Sequence, residues 1–195
     1  MRNAEFDKEA VLRAAMLAFM NKGYAKTSMQ DLKAATGLHP GSIYCAFENK
    51  RGLLLASLAQ YRADRAKEFT AFFAGETRVL VALKRYLDQL VQECISCEAE
   101  KACLLTKALN ELAEQDDEAQ AILIASLSNW QSSIEAVFDK AIATKELTTK
   151  RSAEQLSRFF IMGIYGLRTY AQTHPKAEIM HELAEQLFAD LCQPL

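Results

Sequence analysis

The sequence predicts an all-α fold of about nine helices, with a three-helix N-terminal unit ahead of a larger helical body. Ala, Leu, Glu, Lys and Gln dominate the 195 residues, whereas Gly and Pro number only seven and three. That composition favours helix. No stretch of useful length alternates apolar and polar residues as a half-buried strand does. The breaks are sparse and spaced as helix ends: Gly23, Gly37, Gly75, the stretch 97–101, Asp116-Asp117, Thr148-Thr149 and His174-Pro175.

Each element has a local reason. Asp7 caps a first helix whose apolar stripe is Val11, Leu12, Ala15 and Phe19, with Leu17 at its edge, and Gly23 stops it. Thr27 or Ser28 caps a short second helix to about Thr36, and Ser28 with Asp31 fits a capping box. After Gly37, Pro40 opens a third helix, where its missing N–H costs nothing; this helix runs to about Phe47. Asn49 caps a long fourth helix from Lys50 to about Phe73. Further helices are expected over 77–96, 102–114, 117–144, 150–173 and 176–192. The expected domains are 1–50 and 51–195, joined by the long helix as a shared mechanical link.

Charge is unevenly distributed. Residues 1–52 carry +3 and the remainder −5, a mildly basic head on an acidic body, which suits a nucleic-acid contact made by one end. No apolar stretch approaches membrane-spanning length, and the opening residues 1–8 are too charged for a signal peptide. A cytoplasmic location with Cys45, Cys94, Cys97, Cys103 and Cys192 reduced is therefore expected. No Gly-rich phosphate loop, zinc-protease motif or nucleophile elbow occurs, so neither catalysis nor a cofactor is expected. Cys94, Cys97 and Cys103 lack a fourth ligand at local spacing, and His174 and His181 are distant, so no metal is expected.

The segment from Ser28 to Phe47 reads as a helix-turn-helix. Met29, Leu32 and Ala35 recur at helical spacing, Gly37 permits the left-handed turn, and Ile43 and Phe47 lie four apart on an inward face. The second helix would expose His39, Pro40, Gly41, Ser42, Tyr44 and Cys45, small or polar groups suited to base edges in a major groove.

The run TSMQDLKAATGLHPGSIYCAFENKRGLL resembles the signature of the tetracycline-repressor (TetR) family. The matching residues are Thr27, Thr36, Gly37, Gly41, Ser42, Ile43, Tyr44, Phe47, Lys50, Leu53 and Leu54. The resemblance implies that Thr27, Tyr44 and Lys50 grip phosphates, which sets register rather than sequence choice. Lys50 also opens a helix whose N-terminal dipole favours anions. Base reading would fall to His39, Pro40, Ser42 and Cys45, with Arg2 reaching DNA from the N-terminal arm. Two positions depart from the family pattern: Ala46 stands where Tyr or His is common, and Pro40 where a basic residue is frequent. Other readings of these side chains stay open: Tyr44 and Phe47 as core aromatics, His39 as only a helix cap.

In the body, Leu156, Phe159, Phe160, Gly163, Leu167 and Tyr170 share one face, and Ile179, Leu183, Leu187 and Leu191 recur at intervals of four. Doubled by symmetry, two such helices make a four-helix bundle. The resemblance implies the same: a homodimer, with Phe159, Gly163, Leu167, Tyr170, Leu183 and Leu187 at its interface. The alternative is that the stripes fill the monomer core. Tyr61, Tyr86, Cys103, Trp130 and Phe160 are candidates to line a pocket for an unknown small-molecule effector, whose existence rests on the resemblance. Cys103, in a segment similar to the Gly-Cys-Leu segment of one TetR subgroup, is either a thiol sensor near Lys101 and Lys107 or a small buried hydrophobe. Cys94 and Cys97 would resolve its oxidised form.

The implied function is a transcriptional regulator, usually a repressor. It would bind a palindromic double-stranded operator as a dimer and leave it when effector favours a different spacing of the heads. A thiol enzyme resting on the cysteines and a helical protein-binding module are the competing classes.

Overall fold

The computed structural model describes residues 6–75, 78–96 and 117–192. Among them are eight α-helices and no strand: α1 (Lys8–Lys22), α2 (Met29–Thr36), α3 (Pro40–Phe47), α4 (Lys50–Phe73), α5 (Val79–Ser96), α6 (Asp117–Ala143), α7 (Ala153–Tyr170) and α8 (Ala177–Cys192). A 3-10 turn, Ala171–Thr173, follows α7. The helix expected over 102–114, together with Arg2, Cys97 and Cys103, lies outside the described residues. No described helix is long and apolar enough to cross a membrane. The chain divides into two compact units, with breaks after Arg65 and after Leu123. Both α4 and α6 run from one unit into the other.

In the first unit the local signals act as their chemistry requires. Asp7 accepts from the Ala10 N–H at 3.1 Å, and Leu12, Ala15, Phe19 and Met20 turn inward. Leu17, at the edge of the stripe, remains 44% exposed. The capping box of α2 is complete: Ser28 Oγ accepts from Asp31 N–H, and Asp31 Oδ2 accepts from Ser28 N–H. Gly37 closes α2 at φ +71°, a conformation that costs a glycine nothing. Leu32, Ile43, Leu53, Leu54 and Leu58 fill the core. Arg13 of α1 holds Asp64 of α4 through Nε and Nη2, at 2.9 and 2.8 Å.

The corner between α3 and α4 is unusually tight. Glu48 adopts φ +66°, and the Asn49 N–H donates to the Phe47 carbonyl at 2.7 Å. This is a three-residue turn of the rare, strained kind. Asn49 Oδ1 accepts from the Gly52 N–H at 2.8 Å, capping α4. The Phe47 carbonyl oxygen sits where a side chain at residue 52 would begin: a Cβ there would lie 2.0 Å from it.

The second unit packs α5, α7, α8 and the longer part of α6 around Leu83, Leu87, Ile134, Phe138, Leu156 and Phe160. Glu146 caps α5 from far along the chain, accepting from the Val79 and Leu80 N–H groups at 3.1 Å each. α7 begins at Ala153 rather than near 150 because Ser152 and Gln155 form a second capping box. It ends at Tyr170, where the chain tightens into the 3-10 turn before His174, at φ +53°.

The stripes of α7 and α8 separate into two faces, which corrects part of the expected dimer set. Leu167 and Leu187 are buried in the monomer core. Gly163 belongs to the same packing, since a Cβ on it would lie 2.4 Å from Leu187 Cδ2. The face left open carries Phe159, Met162 and Tyr170 on α7 and Ile179 and Leu183 on α8.

Candidate nucleic-acid interface

α3 is anchored by two residues and presents the rest. Ile43 is fully buried; Phe47 is buried too and meets the Phe6 ring at 6.4 Å. His39, Gly41, Cys45 and Ala46 are exposed, Pro40 and Ser42 half-buried. Tyr44 is 49% exposed, so it is not a core aromatic; Phe47 is.

His39 is the N-cap of α3, with extended backbone at φ −64°, ψ 144°. Its Nδ1 accepts from the Gly41 N–H at 3.3 Å. Capping therefore occurs, and the ring nevertheless stays exposed.

Lys50 places its ammonium 4.5 Å above the centre of the Tyr24 ring and 3.4 Å from the Ala25 carbonyl. The cation thus rests against the turn between α1 and α2, on a stem long enough to swing outward. On the same unit Lys22 pairs with Asp31 at 2.6 Å. That hydrogen bond, with those from the Ser28 backbone and hydroxyl, holds the Asp31 carboxyl well below the usual carboxylate range. Lys26 and Lys33 are exposed.

Thr27 corrects the expectation of a phosphate contact. Its side chain has no exposure, and its hydroxyl donates to the Gly23 carbonyl at 2.5 Å. The same buried carbonyl accepts from the Thr27 N–H at 3.2 Å, so both groups of Thr27 tie the α1–α2 turn from within. Gly52, on which the corner between α3 and α4 closes, is the structural position missed in the sequence. The signal was present: a glycine in the first turn of a long helix is about 1 kcal/mol worse than alanine unless something occupies the space of its Cβ.

The aromatics expected around an effector are each engaged by neighbours within their own unit. Tyr61 is buried in the first unit, with the Arg65 guanidinium 5.4 Å from its ring centre. In the second unit Tyr86 is packed edge-on by Phe69 and Phe72, at 5.0 and 5.5 Å. Trp130 meets Tyr165 at 6.0 Å. Phe160 packs on Phe138 at 6.2 Å and is fully enclosed, so in this conformation it is core rather than pocket wall. A shallow apolar recess is lined by Leu90, Val91, Cys94, Ile164, Leu167 and Arg168, with no room for a water-sized sphere. The Cys192 thiol is pushed up to about 12 by burial, against the pull of Arg151. Among the described residues, no three His, Cys, Asp or Glu side chains gather as metal ligands would.

Comparison with known proteins accounts for both halves of the chain. Residues 11–57 match the profile "Bacterial regulatory proteins, tetR family", and residues 76–187, more than half the chain, match "Tetracyclin repressor-like, C-terminal domain". The chain is 26% identical over 181 residues to the HTH-type transcriptional repressor ComR of Escherichia coli (strain K12), covering 92% of this chain and 86% of that one. Its fold is similar to a TetR transcriptional regulator from Chloroflexus aurantiacus J-10-FL, with TM-score 0.82 and 25% identity over 96% of this chain and 94% of that chain. A cysteine-substituted CifR, a TetR family regulator in complex with 26-base-pair operator DNA, superposes with TM-score 0.77 and 25% identity over 96% of this chain and 98% of its own. With an exposed recognition helix, an all-helical body and family matches over both, the chain belongs to the TetR family of DNA-binding transcriptional regulators.

Proposed function

We propose that this protein is a homodimeric repressor that binds a palindromic operator through α3 and is released by a small-molecule or thiol-reactive effector held in its body. The observation that carries the reading is the division of α3: Ile43 and Phe47 point inward while His39, Tyr44 and Cys45 face solvent. Residues 1–50 then act as the DNA-binding domain and 51–195 as the effector and dimerisation domain. His39, Pro40, Ser42 and Cys45 read bases. Tyr44 and Lys50 grip phosphates, Lys50 by leaving its seat on Tyr24.

Dimerisation is supported by the open apolar face of α7 and α8, where Met162 is 58% exposed and Phe159, Tyr170 and Leu183 about as uncovered as Tyr44. Large apolar side chains clustered on one face of a monomer mark an interaction surface, and a two-fold axis lets the same patch cover itself. A dimer also lets two short recognition helices read two half-sites. Repression is supported by the likeness to ComR, a transcriptional repressor.

Selection of bound duplexes from a random pool tests the proposal, with sedimentation equilibrium of the free protein and the complex. Wild-type protein is expected to enrich a palindromic site as a dimer, and the double variant Tyr44→Ala/Lys50→Ala to lose it. No enriched site at low salt would overturn the reading.

A further inference from the structure

We infer that His39 selects guanine at one position of each operator half-site, because capping α3 through Nδ1 leaves its ring a one-way donor to the major groove. The inference rests on α3 being the helix that reads bases. The Gly41 N–H donates to Nδ1 at 3.3 Å, so Nδ1 carries the lone pair. A neutral imidazole then has its hydrogen on Nε2. The same contact fixes which edge of the exposed ring faces away from the backbone.

The remainder of the first turn offers DNA little competition. Pro40 has no N–H. The Gly41 N–H is taken by His39 Nδ1, and the Ser42 and Ile43 N–H groups donate to the His39 carbonyl at 2.8 and 3.1 Å. The backbone donors at this end of the helix are therefore engaged. Side chains remain, and of these His39 is exposed while Ser42 is half-buried.

A group that donates and cannot accept discriminates among base edges. Guanine presents two adjacent acceptors, N7 and O6, with no donor beside them. Adenine sets its N6 amino group next to N7, cytosine offers the N4 amino group, and thymine pairs O4 with a methyl group. Guanine is the edge on which an Nε2–H meets no opposing hydrogen.

The test uses the full chain, selecting sites with wild type and with His39→Asp. Aspartate is a good N-cap, so α3 is retained, but its carboxylate accepts and cannot donate. The readout is the ratio of binding to guanine and adenine at each position, which a uniform change in affinity leaves unmoved. Wild type is expected to prefer guanine at one symmetry-related position by about tenfold, the usual size of a single base-pair preference. His39→Asp is expected to lose that preference, with the other positions unchanged. Replacing that guanine with 7-deazaguanine should weaken wild type and leave His39→Asp indifferent. His39→Ser, which caps with a shorter side chain, should show no discrimination there and serves if the aspartate is repelled by phosphates. A guanine preference that persists in both variants, or a loss spread evenly over all positions, overturns the inference and leaves His39 a cap or a phosphate contact. If wild type selects no site at all, it is the DNA-reading proposal that fails.

Discussion

Replacing Gly52 with alanine tests whether the tight corner after the recognition helix is built on the missing side chain. By helix propensity alone the change would stabilise α4 by about 1 kcal/mol. The structure predicts the opposite. The new methyl would lie 2.0 Å from the Phe47 carbonyl oxygen and 3.1 Å from its carbon, so the turn must open by more than an ångström. Neither side yields easily. Phe47 is anchored in the core and its carbonyl accepts from Asn49 N–H at 2.7 Å, while Leu53 and Leu54 fix the start of α4. Overpacking of this kind costs about 1–3 kcal/mol or more, and losing the turn and cap hydrogen bonds adds about 1 kcal/mol. Against the propensity gain, the net loss is about 2 kcal/mol. For a chain of this length that lowers Tm by about 4–8 °C. Far-ultraviolet circular dichroism during thermal unfolding measures it, and operator binding should weaken with it because the corner sets Lys50 relative to α3. An unchanged or higher Tm with unchanged operator affinity would refute the steric reasoning.

Five further outcomes are expected. Lys50→Ala should weaken binding to every sequence and reduce the slope of log affinity against log salt by about 1; Thr27→Val should leave that slope alone and lower stability by about 1 kcal/mol, since the buried Gly23 carbonyl loses the hydroxyl and keeps only the backbone N–H of residue 27 as donor. Asp31, whose carboxyl is depressed in the folded state, contributes stability that is complete above the unfolded carboxylate value of about 3.9 and is lost as pH falls through the folded one. Asp31→Asn should therefore be the less stable protein at neutral pH, with the gap to wild type closing in acid; a gap constant with pH would contradict this. In the folded protein, exposed Cys45 should alkylate well before Cys192, whose thiol burial keeps protonated, and mass mapping of timed alkylation would show equal rates if that is wrong. Met162→Glu should give a folded monomer in sedimentation equilibrium, because the carboxylate is tolerated on an open surface and strongly disfavoured inside a dimer seam.

Near the N-terminus, much was legible in the sequence because the causes are local. Asp7, Ser28 with Asp31, Pro40 and Asn49 each act within about one helical turn, so the caps of α1, α2, α3 and α4 follow from neighbouring residues. The inward pair Ile43 and Phe47 is equally local, since residues four apart share a helix face. His39 shows where such reading stops: its type allowed a cap or a base contact, and only the geometry showed that one nitrogen caps while the ring remains exposed.

By itself, then, the sequence determined that the described residues are helical, where the first helices start and stop, and that a helix-turn-helix lies near the N-terminus. Tertiary structure decided what those helices touch. Leu183 and Leu187 recur in one stripe, yet Leu187 enters the space over Gly163 while Leu183 stays open. An apolar stripe is wider than a single neighbouring helix covers, so packing rather than spacing assigns its edges. Thr27 gave its hydroxyl to a carbonyl, and Glu146 reached back 67 residues to cap α5. Gly52 made room for an oxygen of the preceding helix. Each depends on where separate backbone segments come to lie in space, and residue type and spacing carry no coordinate for that.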